Sequence, residues 1–293
     1  MRILSSVIDE SYHLKSVHDY LRRKLEISVA LVKKIKATKR GITVNGEDVF
    51  VSHILQKGDV IEIIIDDGSE CSENIPFDEG DIDVVFEDQD LLIVNKPAGQ
   101  PIHPSLGNYH GSLAGIVMNY YRKKGENFVF RPVNRLDKGT SGLTVIAKNA
   151  HCHQRLKKQQ HTGDFIRKYL AVAEGILEDS GCINEPIGRT DDSIIKRCVR
   201  SDGNEAITYY ETLKKSKNRS LLSLTLKTGR THQIRVHLSY IGHPLTGDFL
   251  YGTETDEIQR FALHSSYIAI KHPITENFLE FNCPIPEDMQ KLL

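Results

Sequence analysis

Val17, Tyr20, Leu21 and Leu25 recur at helical spacing, and Val29, Val32 and Ile35 resume that spacing after Ser28, a residue suited to capping a helix N-terminus. Two short amphipathic helices are predicted. The next stretch, GITVNGEDVFV, changes period: two β-type runs flank Asn45-Gly46, a dipeptide that supplies the positive φ of a tight hairpin turn. KGDVIEIII then closes this region as a further strand. Beyond an interruption, runs rich in β-branched and aromatic residues return in DIDVVFEDQDLLIVNK (two strands), GLTVIAKN, RKYLAVAEG, EAITYYETLKK, SLLSLTLKTG and NFLEFNCP. Helical patterning is confined to residues 112–123, 150–160 and 231–241. Many strands and few helices predict an α+β protein on a mixed, mainly antiparallel sheet rather than a parallel doubly wound one.

The interruption, DDGSECSENIPFDEGD, holds turn formers and acids but no apolar period, as a linker would. The expected organisation is a small α/β domain over 1–66, an acidic linker over 67–78 and a large domain over 79–293. A chain of 293 residues can bury the cores of two such units, and 39% apolar with 26% charged residues is ordinary for a soluble globular protein. No apolar run approaches the roughly 20 residues of a membrane helix, and the N-terminus lacks the apolar core of a signal peptide. A cytoplasmic protein with no membrane partner is expected. Cys71, Cys152, Cys182, Cys198 and Cys283 form an odd set without a C-x-x-C pair, unlike a disulfide framework or a zinc site.

A net charge of −1 by itself disfavours a nucleic-acid partner. Its distribution changes that. Residues 1–58 hold 11 basic and 6 acidic side chains, residues 59–95 hold 13 acids and no Lys or Arg, and the remainder holds 27 basic against 20 acidic. Two basic regions flank an acidic bridge, which is expected to be a solvated linker or, alternatively, a competitor for the basic face. Arg22, Arg23, Lys33, Lys34 and Arg40 lie in the first basic region.

Two stretches concentrate polar chemistry. In RPVNRLDKGTSGLTVIAKN, Asp137 precedes the Gly139-Thr140-Ser141-Gly142 turn into an apolar strand, so its carboxylate would be held at a loop-to-strand junction. An isolated Asp there is ordinarily a turn former. In TGRTHQIRVHLSYIGHPLTGDFLYG, a helix would make His232 and Arg235 neighbours while Ile234 and Leu238 face the core. His232, His237 and His243 have no Glu or Cys among them and no H-E-x-x-H spacing, so no metal is expected. Neither a phosphate-cradling P-loop nor a dinucleotide fingerprint is present.

Together VNKPAGQPIHP, RPVNRLDKGTSGL, RKYLA and GRTHQIRVHLSYIGHPLTGDFLYG resemble the ordered motifs of RluA-type pseudouridine synthases, over about residues 80–285. These enzymes isomerise uridine to pseudouridine in ribosomal or transfer RNA. The two basic helices, V-N-G hairpin and K-G-D strand, over about residues 15–65, resemble an S4-like RNA-binding module. The resemblance implies an isomerase in which Asp137 is the essential carboxylate, Tyr169 stacks on the target base and helps remove its carbon 5 proton, and Arg235 pairs with the aspartate. Arg135 matches the arginine associated with flipping the uridine out of its stack. Asn134, Leu136, Arg230 and His232 become substrate contacts, and Arg22, Arg23, Lys33, Lys34 and Arg40 become phosphate contacts that position RNA without reading its sequence.

Lys96, Pro97 and His103 belong to a motif near the cleft with structural or RNA-contacting roles. Gly229, Gly242 and Gly247 are expected at turns. One departure stands out: the family's usual His is Asn134 here, which hydrogen-bonds but cannot titrate. The reaction is redox-neutral and takes up no water, so no cofactor is expected. The implied partner is RNA, ribosomal ahead of transfer, acted on by a monomer. A non-catalytic RNA-binding or assembly factor with the same fold is the alternative, and a hydrolytic glycosidase would need a second carboxylate facing Asp137.

Overall fold

The computed structural model describes residues 2–66, 72 and 75–293; most of the expected 67–78 linker, with Cys71, lies outside them. Strand β1 (Arg2–Val7) opens the chain, followed by α1 (Val17–Asp19), which runs into a π-helical turn over Tyr20–Lys24, and by α2 (Val29–Ala37). The hydroxyls of Ser16 and Ser28 accept hydrogen bonds from the Asp19 and Leu31 amides, so both helix starts have their orphan donors capped. Strands β2 (Ile42–Val44), β3 (Glu47–Asp48) and β4 (Val60–Ile65) follow, with Asn45 and Gly46 both at positive φ in the hairpin turn.

These strands form an antiparallel sheet in the order β1-β4-β2-β3. Val17, Leu21, Leu31, Val32 and Ile35 from the helices close over Ile42, Val44, Ile61, Ile63 and Ile65. Strand β1 carries no clear pattern, because Ser5 and Ser6 interrupt it and Ile3 and Val7 face outward. Arg2 in this strand reaches across to Asp90 at 3.1 Å and Gln89 at 2.7 Å, while Glu26 receives Lys158 at 2.6 Å.

The larger sheet comprises β5 (Val84–Glu87), β6 (Leu91–Lys96), β7 (Ser141–Ala147), β8 (Ile166–Glu174), β9 (Ser180–Asn184), β12 (Ile207–Ser216), β13 (Arg219–Leu226), β14 (Leu263–Lys271) and β15 (Phe278–Asn282). A separate ribbon joins β10 (Ile187–Arg189) to β11 (Arg197–Val199). The sheet order is β5-β6-β7-β14-β8-β13-β12-β9, with β15 beside β14, and β7–β14 is its parallel pair. The α+β class and mainly antiparallel sheet are as expected. Helices α3 (Leu113–Lys123), α4 (Ala150–Thr162), α5 (Gln233–Tyr240) and α6 (Glu287–Gln290) complete the fold.

Strand alternation divides the core between the two sheet faces. Leu92, Val94, Tyr169, Ala171, Leu222 and Leu224 meet α3 and α5 on one face, while Leu91, Ile93, Leu143, Val145 and Ile268 meet Cys152 and Leu156 of α4 on the other. Burial on both sides explains why LLIV and GLTVIA are continuous apolar runs. Gly142 sits at φ +107°, where a Cβ would lie 2.2 Å from the Ser265 carbonyl oxygen, so close approach of β7 to β14 requires glycine there.

The acidic bridge is not uncompensated in space. Burial works against an ionised Glu87, yet hydrogen bonds from Tyr120, Tyr121, Lys148 and Lys124 outweigh it and hold the carboxyl at about 2. Asp88 pairs with His272 at 2.9 Å and Asp90 with Arg2. These acids tie strands and helices together instead of forming an open anionic surface. Among the described residues, no helix is long and apolar enough to cross a membrane.

Candidate active site

Asp137 lies in the loop that leads into β7, and three contacts brace that loop. The buried Lys96 ammonium, at the end of β6, donates to the carbonyls of Pro97 and Gln100 at 2.8 Å and of Lys138 at 3.4 Å. The Gly99 amide donates to the same Lys138 carbonyl at 2.8 Å, and Arg260 donates to the Gly139 carbonyl at 3.2 Å. Burial, helped by the Arg260 charge and opposed by Asp137, lowers Lys96 to about 7. Lys96 and the Lys-Pro-Ala-Gly turn therefore brace the loop from behind.

The Asp137 side chain keeps 28% of its surface exposed and faces two basic groups: Arg235 Nη1 at 3.6 Å from Oδ2, and His232 Nε2 at 3.8 Å. Arg235, on α5, is buried, and its principal partner is Asp248, whose carboxylate takes Nε at 2.8 Å and Nη2 at 2.7 Å. That bidentate fork fixes the guanidinium plane and leaves Nη1 directed to Asp137. Asp248 also accepts from the amides of Leu250 and Tyr251, so its loop is locked to the same ion pair. The ring of Phe261 lies 4.0 Å from the guanidinium carbon, a cation–π contact that adds to the enclosure.

His232 does not belong to the helix, contrary to the expectation of a helix from 231. It caps α5 in the left-handed region at φ 59°, which turns its ring toward Asp137. The Arg197 amide donates to the Tyr251 hydroxyl at 2.9 Å, and that hydroxyl lies 2.8 Å from His232 Nδ1. With its oxygen already accepting, the hydroxyl donates to Nδ1, which places the imidazole proton on Nε2, toward the Asp137 carboxylate. Burial lowers the imidazole's pKa, Asp137 opposes this and Arg235 reinforces it. The neutral ring is thus an N–H donor at the carboxylate.

Tyr169 points from β8 into a cavity of about 440 Å³ that Asp137, Arg135, Leu136 and Arg230 also line. Burial pushes its phenol up, so at neutral pH it is a protonated hydroxyl on an apolar ring and not a phenolate. A wider cavity of about 920 Å³, walled by Ile195, Phe249, Leu250 and Phe261, adjoins Asp137 on its other side.

The remaining expected residues separate. Asn134 is buried at the cavity wall: Nδ2 donates to the Leu143 carbonyl at 3.1 Å and Oδ1 accepts from the Val145 amide at 2.8 Å. These two bonds clamp the 131–137 segment to β7. Leu136 is buried in the main core. Arg230 is exposed and donates to the Glu205 carbonyl at 2.9 Å. His237 is held by Thr208 and the Glu185 carbonyl, and His243 by the Glu174 carbonyl, so the three histidines do not converge. In the N-terminal sheet domain, Arg22 donates to the Ile27 carbonyl and Arg40 to that of Gly46, while Arg23, Lys33 and Lys34 are exposed. Asp248 and Tyr251 carry no individual signal in the chain, although both fall within the GDFLYG motif.

Asn134→Ala leaves the buried Val145 amide without its partner and removes one of the two side-chain donors to the Leu143 carbonyl, at a cost of about 2 kcal/mol. Thermal unfolding should register a Tm several degrees lower, while turnover per folded molecule stays within about threefold because the lost contacts are structural.

Comparison with known proteins follows the same residues. The family described as RNA pseudouridylate synthase matches residues 90–240. The Bacillus subtilis protein YjbO, named an uncharacterized RNA pseudouridine synthase, is 38% identical over 271 residues, covering 92% of this chain and 95% of its own. Ribosomal large subunit pseudouridine synthase D of Zymomonas mobilis is 39% identical over 226 residues, covering 72% of this chain and 71% of its own. Among solved structures, human RNA pseudouridylate synthase domain containing 1 superposes with a TM-score of 0.57 at 27% identity, covering 70% of this chain and 83% of that one.

Proposed function

The chain belongs to the RNA pseudouridylate synthase family and is an RNA pseudouridine synthase of the RluA type, and from that premise we propose that Asp137 performs the chemistry and that the substrate is ribosomal RNA. One observation carries the assignment: among the described residues lining the cavity that holds Tyr169, Asp137 is the one carboxylate, whereas Asp256, Glu257 and Asp288 line the wider cavity that Asp137 also borders. Hydrolysis of a glycosidic bond calls for two carboxylates, one of them a proton donor. Isomerisation calls for one. The bond from the base nitrogen to the anomeric carbon breaks, the base turns, a bond forms to its carbon 5, and the proton lost from carbon 5 is matched by one gained at the freed ring nitrogen, so the base is retained and no water is consumed.

The carboxylate can add to the anomeric carbon, add to the base or remove a sugar proton. Each route needs an oriented anion with one lone pair free. Arg235 and the neutral His232 both make their closest approach to Oδ2, at 3.6 and 3.8 Å, and neither is within hydrogen-bonding distance. Tyr169 then serves as a flat, uncharged surface for the base, with its hydroxyl protonated in the resting site. Arg135, exposed at the rim, is suited to filling the space a flipped uridine leaves.

Ribosomal RNA is supported by the relative named for the large ribosomal subunit, and a cytoplasmic location is the reading consistent with that substrate. Mapping pseudouridines in ribosomal RNA from cells with and without the gene tests the substrate: a position lost in the deletion supports it, and an unchanged ribosomal map with a position lost in transfer RNA overturns it.

Residues 1–66 serve in this proposal as an S4-like RNA-binding domain. Arg22 and Arg40 each donate to a backbone carbonyl and Arg23 lies 3.5 Å from Asp19, and the exposed Arg23, Lys33 and Lys34 are the candidates for phosphate contacts. Replacing Arg23 and Lys33 together by Gln should raise the RNA Kd and flatten its log–log salt dependence by about 1.4, at about 0.7 per contact with a single strand. Binding titrations at several salt concentrations check this; an unchanged slope removes those residues from the interface.

A further inference from the structure

The cavity beside Asp137 has a basic wall that the chemistry above leaves unused. Arg135, Lys157, Arg167, Arg230 and His103 all line it, and Asp137 is the one carboxylate among the lining residues. Lys157 projects from α4 with Gln160 one turn on, and both donate to the Val133 carbonyl, Lys157 at 2.7 Å. Arg167 lies two residues before Tyr169 on β8, so strand alternation puts both on the cavity face. Lys168 points the other way, with its ammonium 5.3 Å from the Tyr267 ring.

The Arg167 guanidinium stands between the Phe165 ring, 5.7 Å away, and Gly229, where a Cβ would come within 3.1 Å of Nη1. Its Nε is buried and has no hydrogen-bond partner. Burial lowers the pKa of Lys157, and the charges of Arg135 and Arg167 lower it further, so these cations repel one another in the empty protein. Nothing in the fold requires that repulsion. A phosphodiester would relieve it, since its oxygens accept from a guanidinium fork and an ammonium at once.

We infer that Arg167 and Lys157, with Arg135 at the rim, form a site for one RNA phosphodiester adjoining the target uridine, an inference that rests on Asp137 and Tyr169 marking the place of the base. A nucleotide seated there has its own backbone in the same cavity, and a phosphate bound at Arg167 fixes the distance of its sugar from the carboxylate. Recognition of this kind positions without reading sequence. It also accounts for glycine at 229, where a side chain would press on the Arg167 guanidinium.

Arg167→Gln, Lys157→Gln and the double variant test the site, with Lys168→Gln as a control on the opposite face of the same strand. Two readouts are taken: affinity for oligouridine of about 12 nucleotides over a range of salt, and steady-state pseudouridine formation on an unmodified transcript of large-subunit ribosomal RNA. Each single variant should weaken oligouridine binding about tenfold and lower the salt slope by about 0.7. KM should rise while kcat at saturating RNA holds within about twofold, and Tm should hold or rise for Arg167→Gln. Arg167→Lys should keep the salt slope but recover only part of the affinity, because the charge remains and the fork does not.

Wild-type affinity and slope in Arg167→Gln and in the double variant would overturn the site. So would an equal loss in Lys168→Gln, which would mean a diffuse basic surface. A failure of the catalytic reading is separable: Asp137→Asn would then still form pseudouridine, while oligouridine binding reports on Arg167 independently of turnover.

Discussion

Asp137→Asn is expected to lower kcat for pseudouridine formation by about 10⁴-fold or more, the scale on which removing an essential group acts in other enzymes. The amide has the size and shape of the carboxylate but can neither attack carbon nor take a proton. The Asp137 side chain is partly exposed and its basic neighbours stand 3.6 and 3.8 Å away, so no buried hydrogen bond is broken and the fold should persist. RNA affinity should hold or improve, because the substitution removes the one negative charge from a cavity lined by cations. Release of tritium from RNA labelled at uracil carbon 5 measures the reaction, and a filter-binding titration measures affinity. Turnover surviving in the pure variant would remove Asp137 from the chemistry.

Asp248→Asn should produce the second large effect, on stability and rate together. Arg235 and Asp248 are both buried, and loss of one charge leaves the other uncompensated in a poorly solvated site, at about 3–5 kcal/mol. For a chain of this size that lowers Tm by about 10 °C. The freed guanidinium can then swing toward Asp137 and occlude the oxygen that must stay open, so kcat should fall about 100-fold, with KM changed much less. A purely structural pair would behave differently from a positioning one. Replacing both residues by apolar ones of similar volume, Arg235→Met with Asp248→Leu, should recover much of the stability and none of the rate. Recovery of kcat in that double variant would show that the Arg235 charge has no part in the reaction.

The parts of this molecule legible in the chain are those decided by neighbours in sequence. Helices α2, α3 and α4 begin after Ser28, Ser112 and Asn149, whose side chains accept from amides three residues on, a contact that a four-residue window contains. Strands β6, β7 and β8 were equally plain, since a strand covered on both faces must be apolar throughout. Strand β14 was not. It lies at the middle of the sheet, yet His264 and Ser265 interrupt its apolar pattern, and they are tolerated because His264 meets the Ser141 hydroxyl at 2.9 Å and Ser265 donates to the Leu143 carbonyl at 3.2 Å. Those partners are more than 120 residues away.

The site divides in the same way. Asp137, Tyr169 and Arg235 were accessible because each sits in a motif that marks a family, and motifs are local. What each residue does with its neighbours was not accessible. Only the folded chain gave Arg235 its main partner in Asp248, tied Asn134 to the backbone of β7, and set His232 Nδ1 against the Tyr251 hydroxyl. It also compensated the acids of residues 87–90 and aligned Arg167 with Lys157. The sequence by itself determined the class of fold and the order of its elements, because periodicity, capping and turn chemistry act over a few residues, and its motifs, by resemblance to a family, singled out Asp137 as the candidate carboxylate. Tertiary structure decided orientation, protonation and pairing, because these depend on which distant groups remove water from a side chain and which replace it as partners.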